Sequence, residues 1–218
     1  MNENSSKQVL LSVLGIAVLV VAVVGVSFAF FNYTKEGERN NTLTTGSIVF
    51  NFSEGQAINL TNQFPIDNTA GMALSKEASG ALEFSVKGYD GSGTGISYTI
   101  TAIEGNADAT KTRFKDSEIK LYLVGANAKS NNYETPKVVG TDGSLTNGVE
   151  LATGEITATT SAAEQTDSYV LRMWIASDVV SIDDNNTNQN DSIYTTTQFG
   201  NMYYSLKVKV DAATTTGA

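Results

Sequence analysis

The residues whose spacing comes nearest to metal chemistry are Asp184, Asn186 and Asn188, within residues 183–191 (DDNNTNQND). Alternate side chains of a tight loop converge on one ion, and this spacing of two resembles the opening ligands of a calcium loop. The match then stops. Gln189 stands where the sharp turn wants glycine, and Thr195 stands where a bidentate glutamate would close the site. A solvated Asn/Asp turn is the competing expectation, and calcium is the one cofactor that the sequence raises. Residues 88–95 (GYDGSGTG) have the glycine content of a phosphate cradle. They lack the following Lys-Ser/Thr and lead into no helix whose amides could bind phosphate, so a mobile hairpin loop is expected. Glu54, Glu77, Glu83, Glu104 and Glu118 are scattered over turns and strand ends, and no two form a glycosidase pair.

The chain contains no histidine and no cysteine. That removes the usual zinc sites, the Ser-His-Asp triad and the Cys-His pair, leaving carboxylates, lysine or tyrosine alone. The sequence therefore reads as a non-enzyme. A net charge of −9 argues against nucleic acid, whose phosphates require clustered Lys and Arg. Asn-x-Ser/Thr sites at Asn32, Asn40, Asn51 and Asn59 matter only in a glycosylating host.

The dominant positioning element is an apolar run at residues 9–31, with no charged side chain between Lys7 and Lys35. As a helix it would span ~35 Å at ~1.5 Å per residue, enough to cross a bilayer core of ~30 Å. It ends in Ser27-Phe28-Ala29, and small residues at Ser27 and Ala29 suit signal peptidase cleavage before Phe30. An uncleaved signal anchor is the alternative. Both place the remainder outside the cytoplasm, and absent cysteine in an exported chain suits a bacterial or archaeal surface protein.

After a bridge at 30–41, period-2 alternation marks a strand over 42–52, where Ile48, Phe50 and Phe52 share one face. Short alternation follows at Ile58 and Leu60, and residues 66–80 suit a short helix or a loop equally. Further strands are expected at Leu82–Phe84–Val86, at Ile96 to Ala102 and at Ile119 to Leu123. A hairpin turning at Thr153-Gly154 is expected between Leu151 and Ile156. Residues 169–176 (YVLRMWIA) are apolar on both faces and read as a doubly covered central strand, with Trp174 in the core rather than stacking on sugar. A last strand covers 202–210. The expected architecture is all-β: a jelly-roll-like antiparallel β-sandwich over 42–211, preceded by an N-terminal hydrophobic signal or transmembrane helix (1–29) and a linker (30–41), and followed by a flexible tail at 212–218.

The junction and first strand resemble the TasA/camelysin family of bacterial biofilm-matrix and surface proteins. The residues concerned are Ser27-Phe28-Ala29, then Phe30-Phe31-Asn32, then residues 41–48 (NTLTTGSI). The segment at 59–62 (NLTN) resembles the family's next strand, although Phe64-Pro65-Ile66-Asp67 replaces its Pro-Gly-Asp turn. The resemblance covers residues 25–65; the last strand is similar in kind, and the middle of the chain matches only in its β-rich character.

The resemblance implies a jelly-roll domain, a SipW-type signal peptidase as a processing partner, and head-to-tail self-assembly into secreted extracellular-matrix or cell-surface fibres. There the freed N-terminal segment completes a neighbour's sheet, a case of β-strand addition. On this chain the implied donor is Phe30, Phe31, Asn32, Tyr33 and Thr34, continuing to about residue 40. The membrane would hold the precursor until cleavage. The metalloprotease activity described for camelysins does not carry over to a chain without histidine. A membrane-tethered β-sandwich that binds a glycan or protein ligand is the second functional reading.

Overall fold

The computed structural model describes residue 16, the backbone of 32–36, 41–45 and 48–53, and residues 57–125, 127–141, 144–182 and 192–214. The chain divides into two compact units, Met1–Tyr33 and Thr34–Ala218. In the first, the described residues are Ile16, which is helical and exposed, and Asn32 and Tyr33, which open the first strand. No helix among the described residues is long and apolar enough to cross a membrane. The apolar run, Ile16 apart, lies outside the described residues.

The second unit is all-β, in two antiparallel sheets. Its elements are β1 (Asn32–Glu36, of which Thr34–Glu36 belong to this unit), β2 (Asn41–Thr45), β3 (Ile48–Ser53), β4 (Ile58–Thr61), α1 (Asn68–Met72), β5 (Ala81–Asp90), β6 (Ile96–Glu104), β7 (Thr112–Arg113), β8 (Ile119–Gly125), β9 (Ser130–Asn131), β10 (Lys137–Val138), β11 (Val149–Ile156), β12 (Gln165–Ile175), β13 (Val180–Ile182), β14 (Ser192–Tyr194), α2 (Thr196–Gly200) and β15 (Met202–Thr214). One sheet runs β1-β15-β6-β11-β9, with β4 and β7 also on β15; the other runs β10-β8-β12-β5-β3-β2. The parallel pair β13-β14 stands apart.

The strands form where alternation demands one dry face. β6 buries Ile96, Tyr98, Ile100 and Ala102; β15 buries Tyr204, Leu206, Val208 and Val210; β12 buries Tyr169, Leu171, Met173 and Ile175. Each such aliphatic or aromatic side chain contributes roughly 1.5–3 kcal/mol on leaving water. β12 lies between β8 and β5, and its opposite face carries Trp174, buried to 2 % exposure. The five-residue α1 packs there. A Cβ on its Gly71 would fall 2.3 Å from the Trp174 ring, so only glycine permits this approach. The central, doubly covered strand and the core tryptophan are as the sequence indicates.

Several elements differ from the sequence expectation. The strand expected over 42–52 is two strands, β2 and β3, paired with Thr45 opposite Ile48. β5 runs on through Gly88 to Asp90, and residues 91–95 form an arch into the facing sheet rather than a hairpin, since β5 and β6 belong to different sheets. Asp90 organises that arch. Its carboxylate accepts from Ser92 N at 2.8 Å and Oγ at 2.5 Å, from Thr94 Oγ1 at 2.8 Å and from Gly95 N at 2.7 Å. Burial pushes the carboxyl pKa up, but these donors outweigh it and hold it below the usual value. β15 also continues through Ala212–Thr214, which pair with Tyr98–Ile96, so these residues belong to the sheet and not to the tail.

The expected turn at Thr153-Gly154 is absent as well. β11 is one strand, with a register shift between Glu150 and Ala152, and Gly154 lies directly opposite Tyr98 of β6. A Cβ at Gly154 would sit 2.1 Å from Tyr98 Cζ, so the glycine is there to receive a ring. Gly154→Ala is expected to destabilise the protein by about 2–3 kcal/mol, the usual cost of overpacking a core that cannot yield. Urea denaturation checks this; an unchanged midpoint would show that the Tyr98 ring moves freely.

Candidate assembly edge

The 13-residue β15 is the spine of the larger sheet. β6 takes one of its edges from Leu206 to Thr214, and β4 takes the other from Tyr203 to Leu206. β7 joins in parallel at Met202 and Tyr203. The edge beyond Leu206 on the β4 side is thus the place left for β1, the outermost strand of the order. Along this stretch Val208, Val210 and Ala212 point into the core, while Lys207, Lys209 and Asp211 alternate outward. Lys209 Nζ lies 3.1 Å from Asp211 Oδ2. Lysines on the outer face of an edge-proximal strand discourage indiscriminate sheet pairing.

Asn32, Tyr33 and Thr34 of the expected donor form the start of β1. Ser27, Ala29, Phe30 and Phe31 lie outside the described residues, and so do Asp184, Asn186 and Asn188. The calcium segment joins Ile182, the end of β13, to Ser192, the start of the parallel β14. Among the described residues, no group of three or more Asp, Glu, His or Cys side chains could hold a metal.

Three polar clusters lie inside the second unit, and sequence reading missed all three. In the first, Asp167 of β12 is wholly buried between the sheets. Its Oδ2 accepts from Tyr98 Oη at 2.6 Å and its Oδ1 from Asn127 Nδ2 at 2.8 Å; Gln165 Nε2 lies 3.0 and 3.1 Å from the two oxygens. Tyr98 and Tyr169 share a hydrogen bond of 2.7 Å. Burial, then the Asp167 bond, pushes the Tyr98 hydroxyl pKa far up, and burial raises that of Tyr169. The signal was available. Asp167 falls on the inward phase of β12, two residues before Tyr169.

In the second cluster, Asp116 Oδ1 accepts from Tyr204 Oη of β15 at 2.8 Å and from Arg113 Nη2 at 2.6 Å, and Oδ2 accepts from Leu145 N at 3.0 Å. Burial favours the neutral carboxyl, but these donors prevail and the Asp116 pKa is lowered. Arg113 also lies over the Tyr204 ring, 4.5 Å from its centroid. Its Nε is 3.1 Å from Glu104 Oε1, an ion pair without hydrogen-bond alignment. Burial and Asp116 drive the Tyr204 pKa well up.

The third contradicts the reading of Glu118 as a solvated strand-end residue. It is fully buried, its Oε1 accepting from Tyr194 Oη at 2.7 Å and its Oε2 from Lys115 N at 2.9 Å. The Tyr98–Asp167 bond joins the two sheets of the second unit. Comparison with known proteins adds nothing to the reading of these clusters: no protein-family model, curated protein or solved structure matches the chain.

Proposed function

We propose that the chain is a structural subunit of an extracellular fibre of the TasA/camelysin kind, built on a jelly-roll-like sandwich. It is exported by its apolar N-terminal helix, cut after Ala29, and assembled by donor-strand exchange. The observation that carries this reading is the place of β1. It begins three residues after Ala29, and in the second unit, to which Thr34–Glu36 belong, it is the outermost strand beside β15. A strand held along one edge only can leave its own sheet and add to another at little cost, because the same main-chain hydrogen bonds form in both places. Each such contact is head-to-tail and does not close on itself, so the product is a filament. The absence of histidine and cysteine favours a structural over a catalytic role.

The test removes residues 30–40 from the purified, processed protein. Electron microscopy should then show monomers and no fibres, while circular dichroism still reports a β-rich fold. Fibres of normal length from the truncated protein would overturn the reading.

A further inference from the structure

Lys120 is the one lysine among the described residues that is buried, at 7 % exposure. It sits in β8 directly across from Trp174 of β12, on the face covered by α1. Its stem runs beneath that helix, and its amine meets two side chains from separate parts of the chain. Nζ donates to Asn68 Oδ1 of α1 at 3.0 Å and to Asp178 Oδ2, beyond β12, at 2.5 Å. The buried amine thus reaches both a carboxamide, on the exposed Asn68, and a carboxylate, on Asp178, whose side chain is 62 % exposed, and these are the reactant set for an amide exchange.

We infer that Lys120 and Asn68 form an intramolecular isopeptide bond, with Asp178 as the catalytic proton carrier. The steps balance without any co-reactant. Asp178 takes a proton from the Lys120 ammonium, and the neutral Nζ attacks Cγ of Asn68, forming the new C–N bond. The carboxyl hands its proton to the departing amide nitrogen as the old C–N bond breaks, and the carboxylate takes the surplus proton from Nζ. Ammonia leaves, and by drawing the last proton from Asp178 it departs as ammonium.

The surroundings hold both reactants in place, which is where such a reaction gains its rate. Asn68 is fixed because α1 is pinned at both ends. Asp67 Oδ1 caps it by accepting from Ala70 N at 2.8 Å, and Gly71 lies against the Trp174 ring. Lys120 is fixed by its place in β8, between β10 and β12. The bond would tie α1, in the β4–β5 connection, to β8 of the smaller sheet, linking residues 52 apart in a chain that has no cysteine to make a disulfide. Closing a loop of that length restricts the unfolded chain as a disulfide would.

Peptide mass mapping of the full-length protein decides the matter. Trypsin should release residues 40–76 joined to residues 116–129, uncleaved at Lys120 and lighter by one ammonia than the two peptides together. Asn68→Ala should give residues 40–76 free and restore cleavage after Lys120, releasing 116–120 and 121–129 separately. Asp178→Asn should slow the cross-link on the order of 100-fold, the range of general acid–base catalysis. Free, unmodified peptides carrying Asn68 and Lys120 from natively folded protein would overturn the inference. So would cross-linking at an undiminished rate in Asp178→Asn, as regards the role of that carboxylate.

Discussion

Raising the pH from 10 to 12 is expected to unfold the protein cooperatively. Tyr98, Tyr169 and Tyr204 are each at most 2 % exposed, and all three have pKa values raised above the ordinary ~10. Burial is the first cause in each, and the carboxyls of Asp167 and Asp116 add to it for Tyr98 and Tyr204. The raised values mean that the folded state keeps its hydroxyl protons where the unfolded chain releases them. Their contribution is complete below pH ~10 and is lost as pH climbs toward the folded-state values. Each such group costs about 1.4 kcal/mol per pH unit in that window, so Tyr98 and Tyr204, the two most strongly shifted, together remove roughly 5 kcal/mol by pH 12, and Tyr169 acts in the same direction. That is comparable with the lower end of a typical domain's margin, ~5–15 kcal/mol. Tyrosinate absorbance should therefore rise in one step with the loss of near-ultraviolet circular dichroism. Smooth titration of all nine tyrosines in a protein that stays folded would refute this. Tyr204→Phe should lower the slope of stability against pH by about 1.4 kcal/mol per pH unit.

What the sequence revealed and what it concealed separate along a physical line. β6, β8 and β15 were visible because alternation is a local property, in which each residue's neighbours two positions away decide its face, and β12 because an unbroken apolar run is equally local. Gly154 was misread because its reason for being glycine lies on β6, where Tyr98 needs the space. Asp167, Asp116 and Glu118 were overlooked for the same cause. A carboxylate in a strand reads as solvated until its donors are known, and the donors Tyr98, Tyr204 and Tyr194 lie 69, 88 and 76 residues away. Connections that pass from one sheet to the other, such as β5 to β6 and β11 to β12, scatter partners along the chain in this way. β1 was half legible. The strand-prone character of Asn32–Thr34 stood out, whereas the place of β1 beside β15 follows only from which edges β4 and β6 already occupy. The Lys120–Asn68–Asp178 group had no local signature at all.

Asp167→Ala is expected to destabilise the protein by about 2–3 kcal/mol. The carboxyl is the shared acceptor for Tyr98, Asn127 and Gln165, which come from three separate segments. Removing it takes the carboxylate acceptor from the buried Tyr98 hydroxyl, which keeps Tyr169, and from Gln165, which keeps the Glu155 carbonyl, while the exposed Asn127 turns to water; an unsatisfied buried polar group costs ~1–3 kcal/mol. Asp167→Asn keeps the volume but offers one acceptor oxygen in place of two, and its own amide hydrogens would face the Asn127 or Gln165 amide. It should therefore recover less than half of the loss. Tyr98→Phe tests the same cluster from the other sheet. It removes one donor and leaves the carboxyl its amide partners, so it should cost only about 1–2 kcal/mol. Because Tyr98 and Asp167 touch, the double variant Tyr98→Phe/Asp167→Ala should be more stable than the sum of the single effects implies, with a coupling of about 1 kcal/mol or more. Chemical denaturation of the four proteins supplies the cycle. Strict additivity would mean that the 2.6 Å bond between the sheets contributes nothing, and that burial alone accounts for the position.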